Sequence, residues 1–518
     1  MKENKSFGSI YVKNIQNSLN IKEEYVLEDN IDNIKENILE KLKKSYFNKK
    51  FLMSEVEKTI LKIESNKNND KQEMINNEYM IYNMYLNGIL NILEEYSLRY
   101  LREDKNIAKK ISKELLEKIY LNNNIYTSIS RLEKYASCPF SYHLRYGLNI
   151  KDIGNGTNNN LANIGSFMHE IIKETFDYIK ENNINENITN EGLPKKDIYA
   201  LKEEIIKNND NELKENLEKY INIIYKIVRD SIKKVKEKEQ FEDFKFKKNN
   251  EIILNKVEKQ MNKICLDINE GIRLSEFKIL KNEATFGTGK RDYENIIYEI
   301  TDNSKIYLEG AIDRIDIGNL NEFRIIDYKS SDKNIEIPKV VNGLSLQLIT
   351  YLSIIEKKLN LKPTAMLYKR LLYGLESKKE KLDEKEILKK SKKDLKMSGK
   401  LIIQDDKSIE ELYMHDTNLG FEGKVKSEVI DIEKTKDNNI MKTKFKNILV
   451  KDEYENIRDI VIEKIKDLSK NILDGNVDIY PYKYYVSNNK ETACDYCEFK
   501  KICKHSKIKN KFRIIKSK

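Results

Sequence analysis

The sequence predicts a mixed α/β protein with a helical N-terminal region and helical insertions. Three observations carry that prediction. Strand-like patterning is confined to a stretch around residues 305–330 and a short piece after Pro363. Apolar residues three and four apart recur through much of the rest. Pro (5) and Gly (18) are scarce in 518 residues, which excludes collagen-like and Pro/Gly-rich disordered chains.

Hydrophobic residues at 39% allow packed cores, and charged residues at 35% imply a heavily charged exterior. At ~100–200 residues per domain, the length suits roughly three or four compact units. Lys and Arg (95) outnumber Asp and Glu (85), for a net charge of +10. That excess fits a Lys-rich surface or a nucleic-acid footprint, and alone decides neither. No apolar run approaches the ~18–20 residues that span a bilayer, and the opening Met1–Ser6 leads into no secretory pattern. The expectation is a soluble, cytoplasmic protein with no membrane partner.

The elements follow in order. Residues 1–125 read as charged and helical, with Tyr79, Tyr82, Leu86, Ile89, Leu90 and Leu93 along one face. Ser128 offers an N-cap ahead of a helix, and Gly154–Asn160 is a polar loop. Ile164, Phe167, Met168, Ile171, Ile172, Phe176 and Ile179 then mark an amphipathic helix with His169 near its start. Residues 181–275 read as a charged helical insertion. Ile306 to Ile317, a turn at Gly318–Asn321, and Phe323–Tyr328 read as one β-hairpin, although the alternation slips near Arg314. Leu344–Leu359 is helical, Thr364–Tyr368 is a strand, and Glu376–Lys400 is an exposed helix or insertion. The domain reading is 1–125, then 126–480 with insertions at about 181–275 and 376–450, then a cysteine segment at 481–518.

The chemistry concentrates in the hairpin. On a strand, residues two apart share a face, so Asp327 and Lys329 point together, and the antiparallel neighbour can hold Asp313 beside them. Two close carboxylates repel unless a cation sits between them, and Mg2+ suits oxygen ligands with positions left open for water and phosphate. A neighbouring Lys can orient the attacking water and stabilise phosphate charge, which completes a set for metal-assisted phosphodiester hydrolysis. His169 is a further candidate ligand. Gln347 and Tyr351, four apart, share a helix face.

Cys494, Cys497 and Cys503 form C-x2-C-x5-C, a spacing that lets three thiolates reach one metal centre. The fourth ligand is either the nearby His505, which gives a structural zinc site, or the distant Cys138. Spacing leaves zinc and iron–sulfur open, with unliganded buried cysteines as the third reading. Cys265 reads as a core filler.

His169 in Ile-Gly-x-x-x-His, Asp313 in Gly-x-Ile-Asp-Arg-Ile-Asp, Asp327-Tyr-Lys329 and Gln347-Leu-x-x-Tyr351 occur in the order of the RecB-type PD-(D/E)XK nucleases, which they resemble. The resemblance implies a restriction-endonuclease-like core in which His169, Asp313 and Asp327 gather around Mg2+. Lys329 would be the catalytic lysine, and Gln347 and Tyr351 would support the site. Ser-x-Ser-Arg-Leu-Glu-x-Tyr-x-x-Cys138-Pro-Phe with the late cysteine triplet narrows this to the AddB-type chains of bacterial AddAB helicase–nucleases, which it resembles. Glu283 with Phe286-Gly287, Lys396–Gly399 and Gly475–Tyr482 extend the match from about residue 75 to 510.

That family implies a [4Fe–4S] cluster on Cys138, Cys494, Cys497 and Cys503, and single- and double-stranded DNA ends as substrates. It further implies 5′-to-3′ exonuclease action on single strands, and a heterodimer with an AddA-type helicase–nuclease partner in recombination repair. Gly287-Thr288-Gly289-Lys290 is no phosphate loop, because Ala284 and Arg291 stand where Gly and Ser/Thr belong. Residues 1–120 are expected to be a remnant of a helicase-like half, with unwinding left to the partner. The competing expectation is a catalytically inactive DNA-binding or structural protein with a zinc site.

Overall fold

The computed structural model describes residues 110–112, 114–116, 124–150, 159–244, 248–371, 396–405, 409–420, 425–434, 447–486, 489–503, 505 and 512–516. The helical reading of 79–93, residues 154–158 of the polar loop and residues 372–395 lie outside them, and Asn159 and Asn160, read as loop, open a helix. The described residues all belong to one unit, Asn106–Lys518.

Strand β1 (Ile125–Thr127) leads into α1 (Ile129–Ser137) and α2 (Pro139–Tyr142), which runs on as a π turn at His143–Gly147. Ser128 sits at the N-cap of α1, but its hydroxyl meets Ser130 Oγ at 2.9 Å and makes no cap bond. A helical block follows: α3 (Asn159–Glu181), α4 (Ile184–Asn190), α5 (Ile198–Asn208), α6 (Asn211–Lys236) and α7 (Lys248–Arg273). Asp197 and Asp210 cap α5 and α6 by accepting N–H groups of their first turns. Because α3 starts at Asn159, His169 lies mid-helix rather than near the start.

Next come β2 (Lys278–Phe286), β3 (Ile296–Thr301), β4 (Ser304–Leu308), β5 (Gly310–Ile317) and β6 (Glu322–Lys329). Helices α8 (Ile337–Val341) and α9 (Gln347–Leu359) lead to β7 (Lys362–Arg370) and β8 (Ser398–Ile403). Two short strands, β9 (Val425–Lys426) and β10 (Glu433–Lys434), precede β11 (Ile448–Val450) and α10 (Lys451–Leu473). The chain closes with β12 (Tyr482–Val486), β13 (Asn489–Thr492), α11 (Lys500–Cys503) and β14 (Arg513–Lys516).

The central sheet has the order β11-β8-β7-β6-β5-β2, with β6–β7 and β8–β11 parallel and its other pairs antiparallel. Strand β6 is buried along almost all its length, as a central strand covered on both sides must be. Its alternate residues enter different cores. Ile326 and Tyr328 join the apolar cluster of α3, α6 and α7, whereas Phe323 and Ile325 join that of α1, α9 and α10. The result is helix–sheet–helix layering.

One feature of the hairpin reading is corrected and another explained. The first strand is two strands, because at Glu309 the chain leaves a small β1-β4-β3 sheet and enters the central one. Glu309 N–H donates to Thr127 O at 3.0 Å, and Gly310 lets the chain pass close to Phe286 and Tyr351, whose atoms lie 2.9 and 3.1 Å from where a Cβ would stand. The slipped alternation at Arg314 also has a cause. Arg314 and Arg324 are buried and converge on Asp316, with bonds of 2.7 to 2.9 Å, so a charged side chain faces inward at a core position. Within 376–450, read as a helical insertion with an exposed stretch to Lys400, residues 398–403 form β8 and 448–450 form β11 of the central sheet, and β9 pairs with β10.

Candidate active site

Three neighbouring strands set carboxylates side by side. Asn282 pairs with Arg314 and Ala284 with Ile312, which places Glu283 of β2 level with Asp313 of β5. Arg314 pairs with Ile326, so Asp313 in turn comes level with Asp327 of β6. There the β5–β6 ladder gives out, and the Asp313 carboxylate accepts Tyr328 N–H at 2.6 Å. Glu283 adopts φ +48°, a left-handed conformation unusual for a residue with a side chain, a few positions after a register shift at Ile279/Lys281. Bulged, strained backbone of this kind re-aims side chains and clusters at functional sites.

His169 reaches this row from α3. Its Nδ1 lies 3.6 Å from Glu283 Oε1 and 3.6 Å from Asp313 Oδ2, with its ring edge-on to Tyr328. One ligand atom from each of His169, Glu283 and Asp313 falls within 4.8 Å of the others. Burial and then the nearby Asp327 push the Asp313 carboxyl upward, and burial raises Asp327 as well. Burial works against the His169 imidazolium, but Glu283 and Asp313 outweigh it and raise the group. Crowded acids that resist ionisation beside a cation-favouring imidazole fit a divalent ion held by hard oxygen donors and one nitrogen.

Lys329, two residues after Asp327, forms an ion pair with it. Gln347 bridges the two, its Nε2 donating to Asp327 Oδ1 at 3.0 Å and its Oε1 accepting from Lys329 Nζ at 3.2 Å. Tyr351, one turn along α9, is buried edge-on to Phe286 and hydrogen-bonded to Gln347. The structure thus brings His169, Asp313, Asp327, Lys329, Gln347 and Tyr351 to one place. Asp327 stands beside the three residues whose ligand atoms cluster, its carboxylate paired with Lys329 and hydrogen-bonded by Gln347. Glu283 completes the trio, although sequence reasoning gave it no role. Glu133 of α1 was likewise unassigned, and its carboxylate accepts the N–H groups of Leu346 and Gln347 at 2.6 and 3.1 Å. Burial pushes that carboxyl up to about 7, with the two N–H donors and Lys329 pulling the other way.

A second cluster lies at the α1–α2 junction. Cys138, Cys494 and Cys497 on their turn, and Cys503 in α11 lie near enough to perturb one another's thiols. Burial, then Cys138 and the neighbouring thiols, pushes Cys494 up to about 11. Cys503 also rises to about 11, again chiefly through burial. Burial raises the Cys138 thiol, with the nearby backbone N–H groups of Ser141, Phe140 and Tyr480 pulling the other way, and Ser141 Oγ lies 3.9 Å from Cys497 Sγ. The His505 ring packs edge-on against Phe512 at 4.7 Å, and its backbone N–H is bonded to Cys503. Outside the thiols, Arg145–Glu498 at 2.7 Å, Tyr135 Oη to Asn476 O at 2.9 Å and Phe140 N–H to Asp478 O at 3.2 Å tie the same segments.

The profile of the PD-(D/E)XK nuclease superfamily matches residues 126–504, which include both clusters. The chain belongs to this superfamily. It is also similar to curated proteins that are named as the B chain of an ATP-dependent helicase/deoxyribonuclease. It is 32% identical to that of Clostridium perfringens (strain SM101) over 431 residues, 80% of this chain and 33% of that protein. Against the Clostridioides difficile (strain 630) protein the identity is 27% over 523 residues, 93% and 41% of the two chains. The chain thus spans about a third of the length of the Clostridium perfringens protein. The PD-(D/E)XK assignment agrees with the mixed sheet layered by helices and with carboxylates and a lysine on adjacent strands. Among the described residues, no helix is long and apolar enough to cross a membrane.

Proposed function

We propose that the chain is a magnesium-dependent deoxyribonuclease that digests single-stranded DNA from its ends. The observation that carries this is the joining of two sets: the His169–Glu283–Asp313 trio, and the Lys329–Asp327–Gln347 bridge beside it. His169, Glu283 and Asp313 would hold Mg2+, with Asp327 adjoining. Bound Mg2+ would polarise the scissile phosphate and lower the pKa of an attacking water. Lys329 would orient that water and offset charge on the phosphate, with Gln347 bridging its ammonium to Asp327. Tyr351 stiffens the same helix face. Cleavage from 5′ to 3′ follows from the family resemblance.

Cys138, Cys494, Cys497 and Cys503 would carry a [4Fe–4S] cluster that straps the C-terminal segment to α1. The mutual perturbation of the thiols supports four sulfur donors gathered in one place. The names of the relatives support a place in an ATP-dependent helicase/deoxyribonuclease; the family resemblance carries the reading of a cytoplasmic recombination-repair enzyme with an AddA-type partner as motor and DNA ends as substrate.

End-labelled single-stranded DNA incubated with the chain and Mg2+ tests the reading. Mononucleotides or short oligonucleotides should appear with Mg2+ and vanish with chelator, and labels at the 5′ and 3′ ends give the polarity. Intact DNA in both conditions would overturn the catalytic reading, and an ATPase chain recovered with the protein would support the heterodimer.

A further inference from the structure

We propose that Glu133 is a positioning residue of the nuclease centre, holding the first turn of α9 and through it Gln347. The inference deepens the nuclease reading and rests on it for its kinetic consequences. A helix begins with N–H groups that have no partner inside the helix, and α9 makes no side-chain cap of its own, since Leu346 occupies the N-cap. Glu133 supplies the missing acceptor from another helix, with one carboxylate oxygen taking both Leu346 N–H and Gln347 N–H. A carboxylate at a helix N-terminus is also favoured by the helix dipole.

The residue so anchored is Gln347, whose amide spans the ion pair of Asp327 and Lys329. The amide can bridge both partners only while its backbone stays in place. Glu133 lies on α1, which ends at Cys138. The cysteine cluster and the nuclease centre thereby share one helix, with Cys138 at its end and Glu133 one turn inside it.

A defect in position rather than in binding should lower turnover while sparing substrate affinity. In the full chain, Glu133→Ala should reduce kcat for magnesium-dependent hydrolysis of single-stranded DNA by about 10- to 100-fold, the scale of a modest misplacement, with KM changed less than about threefold. Glu133→Gln keeps an acceptor oxygen for both N–H groups and should recover most of the loss. In the Glu133→Ala background, Gln347→Ala should cost much less than in the parent, because residues acting in series are not additive. Hydrogen exchange at the Leu346 and Gln347 amides should accelerate in Glu133→Ala while amides of the central strand β6 stay protected. That last readout separates local release from a chain that fails to fold.

Parental kcat in Glu133→Ala, additive losses with Gln347→Ala, or unchanged exchange at the two amides would overturn the proposal. Failure of the nuclease reading looks different. The parent would then not cleave DNA, yet the two amides would still lose protection when Glu133 is replaced.

Discussion

The Asp313 carboxylate accepts the backbone N–H of Tyr328 at 2.6 Å, at the point where the ladder between their strands gives out. A side chain thus takes over a bond that a strand would normally supply, and the strands open around the site. Asp313→Asn keeps an acceptor for that N–H, whereas Asp313→Ala leaves it unpaired. Both variants should lose magnesium-dependent hydrolysis, by on the order of 100-fold or more. DNA affinity in Ca2+ should remain near parental, since phosphate contacts elsewhere supply most of it. Only the Ala variant should also lose about 1–3 kcal/mol of stability, the cost of an orphaned buried donor, read by chemical denaturation. An Asp313→Ala chain that cuts at the parental rate would remove Asp313 from the site.

The crowded acids make a stability prediction. Folding raises the carboxyls of Asp313 and Asp327 above their ordinary value of 3.8, so the folded chain holds protons that the unfolded chain has released. Stability from these groups is fully present below about pH 4 and declines as pH rises through their folded values. Mg2+ should reverse the decline by binding the ionised forms. The rise in melting temperature on adding Mg2+ should be larger at pH 8 than at pH 5, and should shrink in Asp313→Asn. Equal shifts at both pH values in the parent would contradict the assignment.

Glu283 is held at φ +48° beside Asp313, so it carries both backbone strain and like-charge repulsion in the metal-free chain. Glu283→Gly removes both, because glycine adopts this conformation without steric penalty. The variant should be as stable as the parent or more so by about 1 kcal/mol without metal. It should also lose Mg2+ affinity and turnover. Glu283→Ala, which keeps a Cβ, should lose the activity without the full gain. A Glu283→Gly chain that binds Mg2+ like the parent would exclude Glu283 as a ligand.

What the sequence reveals of this site follows from its periodicities. Asp327 and Lys329 stand out because a strand has a period of two, and the turn at Gly318–Asn321 identifies the partner strand that carries Asp313. Gln347 and Tyr351 stand out because a helix repeats every three to four residues. Glu283 escapes such reading. Strand β2 interleaves Lys278, Lys281 and Asn282 with its apolar residues, and Glu283 is aimed by a bulge and a positive φ that no hydrophobic pattern encodes. Glu133 escapes because its partners are backbone groups more than 200 residues away. The break at Glu309 is hidden because apolar alternation continues across it while the chain changes sheets. Arg314 looks misplaced until Asp316 is seen to pair with both it and Arg324 inside the core.

Lys329 tests the division of labour between binding and chemistry. Lys329→Ala leaves every carboxylate in place, so Mg2+ affinity should be retained, and the loss of one positive charge should if anything strengthen it. Turnover should fall by on the order of 100-fold, the scale of removing one group that stabilises the transition state. The Gln347 amide would lose Lys329 and keep Asp327, so Lys329→Met, which keeps the apolar stem, should behave like Ala. Calorimetric titration with Mg2+ separates the effects. Loss of metal binding together with activity would make Lys329 a structural residue.

The cysteine segment makes the sharpest prediction, because the two possible centres use different fourth ligands. The His505 ring rests against Phe512, whereas Cys138 is among the groups that perturb Cys494. Anaerobically purified chain should therefore be brown, with iron and no stoichiometric zinc, and Cys138→Ala should abolish the colour while His505→Ala keeps it. A zinc centre closed by His505 would give the opposite pattern and no colour in the parent. Joining position 138 to 494–503 closes a loop of roughly 360 residues, and a cross-link over such a distance removes several kcal/mol of entropy from the unfolded chain. Loss of the cluster should thus make the domain more protease-sensitive throughout. Residual contacts such as Arg145–Glu498 are partly exposed and too weak to replace it. Because α1 carries Glu133 as well as leading to Cys138, the loosened chain should also show slower turnover with Mg2+ affinity retained. Iron at parental content in Cys138→Ala would take Cys138 out of the centre.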